Sequence, residues 1–138
     1  MAHYAELSPD NVVLNVMYVS NDIITDENDN EVESLGEQHL QNNVDSNARY
    51  IRTSYNGNMR GKYAGVGDLY HPESDRFYMP QPYPSWTLNT TTLIWEPPTA
   101  KPTLTEEQEG HGSCYFWNEE TTSWDLKTVL LHQNNKPL

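Results

Sequence analysis

Cysteine is nearly absent. Cys114 is the single thiol in 138 residues, so no internal disulfide is possible and a Cys-rich zinc or iron–sulfur centre is excluded. No apolar run approaches the ~20 residues that a membrane-spanning helix needs. The opening MAHYAELSPD lacks the basic start and apolar stretch of a signal peptide. Basic residues are scarce. Eight Lys and Arg against 20 Asp and Glu leave a net charge of −12, a poor match to nucleic acid, whose phosphates need a basic footprint. Neither nucleic acid nor a membrane is therefore expected as a partner. The length fits one domain, or one domain plus an arm, and suffices to bury a core without disulfides.

The charge is unevenly placed. Residues 1–48 contain no Lys or Arg and ten acids, whereas residues 49–138 hold all eight bases and the other ten acids. Five bases, Arg49, Arg52, Arg60, Lys62 and Arg76, fall close together. Two readings stay open. The bases pair with the acidic N-terminal part inside one fold, or acidic and basic faces meet across subunits, where complementary potentials set register and partner choice.

The pattern along the chain predicts a mainly β (α+β) fold. It consists of a small antiparallel sheet domain over residues 1–78 with one short helix near 32–42, then an extended hairpin arm over 79–138. His3 to Leu7 alternates, Ser8-Pro9-Asp10-Asn11 is turn chemistry, and Val12 to Val19 is rich in β-formers. That second strand has few polar breaks and is expected to be central, covered on both faces. Leu35, His39 and Leu40 share one helical face, although Gly36 weakens the helix by about 1 kcal/mol relative to Ala. Arg49 to Tyr55 reads as a strand. Asn56-Gly57 then suggests a type I′ hairpin turn into a glycine-containing return segment.

From residue 69 a short repeat emerges. Tyr70 and Phe77, Leu88 and Trp95, and Trp117 and Trp124 are each seven residues apart around a polar turn. This spacing predicts three hairpins that pair two large side chains across their strands. Pro80, Pro82 and Pro84, and then Pro97, Pro98 and Pro102, predict extended polyproline-II connectors. Lone hairpins are marginal in water, so the arm is expected to need a docking surface. Val129, Leu130 and Leu131 form an apolar patch near the end.

No pattern of catalytic residues stands out. His3, His39, His71, His111 and His132 share no metal-ligand spacing. Asp26 to Asn30 echoes the first positions of a calcium loop, with Glu37 in twelfth place, but Glu31 sits where that loop needs Gly. A solvated acidic turn is the better reading. Cys114 has no basic neighbour within five residues, and His111 three residues away is not by itself a catalytic pair. GKYAGVG is not a phosphate loop, since it has no GK[ST]. Neither a catalytic residue, a cofactor nor a metal is expected. All but two of the 15 aromatics lie in residues 50–124. Tyr- and Trp-rich surfaces suit protein interfaces and sugar stacking. The candidate partner-binding residues are Trp86, Trp95, Trp117, Trp124, Tyr83, Arg60 and Lys62.

Six segments, MAHYAELSPDN, ITDENDNEVESLG, TSYNGN, KYAGVG, FYMPQPYPSW and YFWNEETTSW, together resemble a family of small virion-associated proteins of tailed bacteriophages that infect marine cyanobacteria. The resemblance covers nearly the whole chain. PYPSW and YAGVG are specific in combination. Asp29 stands where the family pattern has Gly, and GEQHLQNN lacks a Cys found there. The resemblance implies a virion location and carries over no catalytic residue. The expected function is a non-enzymatic structural component of a phage particle. A capsid decoration or cement protein comes first, an accessory tail, baseplate or fibre protein second, and a surface carbohydrate-binding module third. The implied partners are other virion proteins, the major capsid protein or tail proteins, with copies in a homo-oligomer or symmetric array.

Overall fold

Strand β1 (Ala2–Leu7) is the centre of the N-terminal unit, with four of its six residues buried. It pairs antiparallel with β2 (Val13–Val19) on one side and with β3 (Arg49–Thr53) on the other. The expectation that Val12–Val19 is the central strand is therefore corrected. An apolar run reports covered faces, but strand order depends on which edges find partners. Strand β2 has covered positions on both faces yet lies at the edge, with Leu14 and Tyr18 exposed. The computed structural model describes residues 1–128 and divides the chain into two units, Met1–Pro80 and Gln81–Leu138. The apolar patch at 129–131 and His132 lie outside the described residues.

The alternation of β1 builds two cores. Ala2 and Tyr4 point to one face and pack with Val19, Ile24, Leu40 and Tyr50. Ala5 and Leu7 join Val13, Ala64 and Phe77, as the two-residue period of a strand requires. Helix α1 (Asn21–Ile24) and helix α2 (Glu33–Asn43) contribute Ile24 and Leu40 to the first core. Tyr4 lies under α2, and its hydroxyl donates to the Glu33 carbonyl at 2.8 Å. Burial pushes its phenol up to about 12. Gly36 is buried above the Tyr4 ring, where no side chain fits.

Among the described residues three helices stand where one was expected. Helix α2 matches the expected segment to within a residue. Helix α1 and α3 (Glu106–Gly110) are single turns, too short for hydrophobic periodicity to reveal. Helix α3 starts with a capping box. Thr105 Oγ1 accepts from the Gln108 amide, and Gln108 Oε1 accepts from the Thr105 amide.

The outer edge of β3 is closed by side chains. Gln41 Nε2 donates to the Ala48 carbonyl at 3.0 Å, Glu37 Oε2 accepts from the Tyr50 amide at 3.4 Å, and Arg60 Nη1 donates to the Arg52 carbonyl at 2.7 Å. Such cover guards an edge against stray strand pairing. After β3 the chain turns at Ser54–Gly57, where the Gly57 amide donates to the Ser54 carbonyl and Gly57 has φ 70°. The expected type I′ hairpin does not form. That turn needs positive φ at both central residues, and Asn56 does not adopt it. The following segment instead lays Ala64 into the second core, and the Gly67 amide and Asp68 carbonyl bond Val13 at 2.8 Å each.

The seven-residue spacings are cross-strand pairs. In β4 (Leu69–His71) and β5 (Arg76–Tyr78), Tyr70 faces Phe77. In β6 (Thr87–Asn89) and β7 (Ile94–Glu96), Leu88 faces Trp95. In β8 (Ser113–Asn118) and β9 (Ser123–Thr128), Trp117 faces Trp124. The turns share one construction. The residue after the first partner accepts a backbone N–H three residues on: His71 Nδ1 from Ser74, Asn89 Oδ1 from Thr92, Asn118 Oδ1 from Thr121. Asp75, Leu93 and Thr122, each two residues before the second partner, all adopt positive φ.

The acidic turn is also locally satisfied. Asp26 Oδ1 accepts the amides of Asn28 and Asn30 at 2.8 and 2.9 Å. Asp29 has φ 64°, in the left-handed region that Gly enters freely and Asp tolerates.

Candidate interaction site

In the second unit the Pro-rich stretch folds back on itself. The Trp86 amide donates to the Tyr83 carbonyl at 3.1 Å. Gln81 Nε2 donates to the carbonyls of Pro84 and Trp86 at 3.3 and 3.0 Å. These bonds bend the expected polyproline-II connector into a turn. Residues 81–128 accordingly gather around a cluster of their own, which replaces the expected extended arm.

That cluster is aromatic. Trp117 and Trp124 lie edge to face at 5.2 Å between ring centroids. Trp86 stands against them at 5.7 and 6.1 Å. Tyr83 closes one side, 5.7 Å from Trp86. Edge-to-face packing matches positive ring edges to negative faces. Polar bonds fix the rings. Glu119 accepts from the Ser85 amide and hydroxyl at 3.0 and 2.7 Å and from Trp117 Nε1 at 2.8 Å. The Ser85 bonds, then the Trp117 bond, hold the Glu119 carboxyl below the usual carboxylate range. Trp124 Nε1 donates to the Thr99 carbonyl at 2.8 Å, and Lys101 Nζ lies 5.7 Å from the Trp124 ring centre.

The structure thus brings together four of the seven candidate partner-binding residues, Tyr83, Trp86, Trp117 and Trp124. Trp86, Trp117 and Trp124 are half-buried there, and Tyr83 stays exposed. Trp95 is paired across its hairpin with Leu88. The large side chains left outward on the hairpins are Ile94, Phe116 and Leu126, which are 62%, 43% and 43% exposed. The seven-residue spacing places Trp117 and Trp124 together but gives no sign of the bend at residues 83–86 that brings Tyr83 and Trp86 to them.

Arg60 and Lys62 are engaged inside the first unit. Arg60 donates to Glu33 through Nη1 at 2.7 Å and to Asp75 through Nε at 2.6 Å. Burial would lower its pKa, but the Glu33 and Asp75 bonds outweigh burial and raise it. Tyr70 donates to Asp75 at 2.5 Å. Burial and then this bond push the Tyr70 phenol up to about 12. Lys62 pairs with the buried Asp68. Arg52 pairs with Glu31 at 3.1 Å, and Arg49 donates to Ser8 and Asn11. Of the two charge readings, these contacts supply pairing within one fold.

A second aromatic group lies on the first unit. The His3 ring is surrounded by Tyr18, Tyr55 and Tyr63 at 6.4, 6.1 and 5.6 Å. It borders a cleft of about 150 Å3 at the end of the sheet. Among the described residues no three His, Cys, Asp or Glu side chains group as they would to hold a metal. No helix there is long and apolar enough to cross a membrane. Comparison with protein-family models, with curated proteins and with solved structures finds no match.

Proposed function

We propose that this chain is a non-enzymatic structural component of a tailed-bacteriophage virion, a capsid decoration or cement protein that binds its neighbours through the second unit. One observation carries the reading. PYPSW and YFWNEETTSW, two of the stretches by which the chain resembles virion-associated phage proteins, meet in one cluster through Ser85, Trp86, Trp117, Glu119 and Trp124. The shared residues therefore serve a scaffold. Such a scaffold leaves Ile94, Phe116 and Leu126 outward, where a partner can bury their apolar surface.

Quantitative mass spectrometry of gradient-purified virions tests this reading. The chain is expected in fixed stoichiometry to the major capsid protein. Phe116→Asp is expected to lower its copies per particle while the free protein keeps its melting temperature. Absence of the chain from purified particles refutes the proposal.

A further inference from the structure

Of the rings around His3, Tyr63 is half-buried and the other two are not. Tyr18 and Tyr55 are 65% and 72% exposed. Tyr55 also lines the cleft, together with His3, Arg52, Ser54, Asn56 and Met59. The cleft therefore joins an exposed ring to an amide and a hydroxyl, a combination that fixes small ligands by one apolar face and a few polar contacts. The one Lys, Arg, Asp or Glu side chain that lines it, Arg52, is paired with Glu31 at 3.1 Å. Its volume suits a single ring and is too small for a helix or a folded segment.

We infer that this cleft binds one neutral pyranose unit of a glycan. The Tyr55 ring stacks on the apolar C–H face of the sugar. The Asn56 amide and the Ser54 hydroxyl bond its equatorial hydroxyls. The cleft lies in the first unit and shares no residue with the Trp cluster of the second. The inference does not depend on where the protein sits in a particle.

Saturation-transfer NMR of the full chain against glucose, galactose, mannose and N-acetylglucosamine tests it. At least one sugar is expected to bind with millimolar affinity and to receive saturation at its ring protons. Tyr55→Ala should weaken that binding about tenfold, the scale of one lost stacking contact, and Tyr55→Phe should retain it. Asn56→Ala, in an exposed turn, should weaken it without altering the amide spectrum elsewhere. Tyr83→Ala should leave it unchanged. The inference is overturned if none of the four sugars binds, if Tyr55→Ala and Asn56→Ala bind as the parent does, or if Tyr83→Ala abolishes binding.

Discussion

Replacing Gly36 by Ala sets two effects of opposite sign against each other. In an exposed helix the change would stabilise by about 1 kcal/mol. Here a Cβ would clash with the hydroxyl end of the Tyr4 ring, at Oη and Cζ and 2.6 Å from Cε1, and Tyr4 is 0% exposed. The ring cannot retreat, because Ala2, Val19, Ile24, Leu40 and Tyr50 surround it. Overpacking a tight core costs about 1–3 kcal/mol. Displacing the Tyr4 hydroxyl from the Glu33 carbonyl costs about 1 kcal/mol more. After the propensity gain, Gly36→Ala should destabilise the first unit by about 2 kcal/mol. That lowers its melting temperature by about 8–16 °C for a unit of this size. Thermal unfolding followed by tyrosine near-UV dichroism reports it. Gln38→Ala, at an exposed site on the same helix, serves as the control and should change stability by less than about 0.5 kcal/mol. A Gly36→Ala protein that melts at or above the parent temperature would refute the packing account.

Further outcomes follow from the same contacts. Trp117→Ala should destabilise the second unit by about 2 kcal/mol, less than for a fully buried ring, and shift its tryptophan fluorescence in a thermal melt. Glu119 has a lowered folded pKa, so its contribution is present above the unfolded carboxylate pKa and is lost as pH falls through the folded one. Glu119→Gln should flatten the acid limb of the second unit's stability profile. The phenols of Tyr4 and Tyr70 are raised to about 12, so their contributions are complete below about pH 10, the unfolded value, and are lost as pH approaches 12. Tyr70→Phe should soften that alkaline loss in a pH-dependent melt.

Much of the fold can be read in the sequence where contacts are local. Each seven-residue spacing gave a register pair because one hairpin turn fixes it. Of the α2 face read from Leu35, His39 and Leu40, Leu40 enters the core, while Leu35 and His39 are half-buried and Gly36 is buried in their place. The order β2-β1-β3 was not legible, since it depends on which edges meet after residues 20–48 have folded between β2 and β3. The Thr105–Gln108 capping box carried a T-x-x-Q signature that could have located α3. Left-handed φ at Leu93 and Thr122 carried no such signature, since neither residue type favours it. The Trp cluster was legible only in part. The residues were named, but the bend at Tyr83–Trp86 that turns them inward depends on side-chain bonds from Gln81.

The central claim is that this chain is part of a phage particle and docks on its shell. Electron cryomicroscopy of intact virions of a phage whose genome carries this sequence tests the proposal most directly. The account predicts density for the second unit at symmetry-related positions on the capsid lattice, with Phe116, Leu126 or Ile94 against a neighbouring subunit. Density confined to the tail, or a particle that lacks the chain, would contradict it.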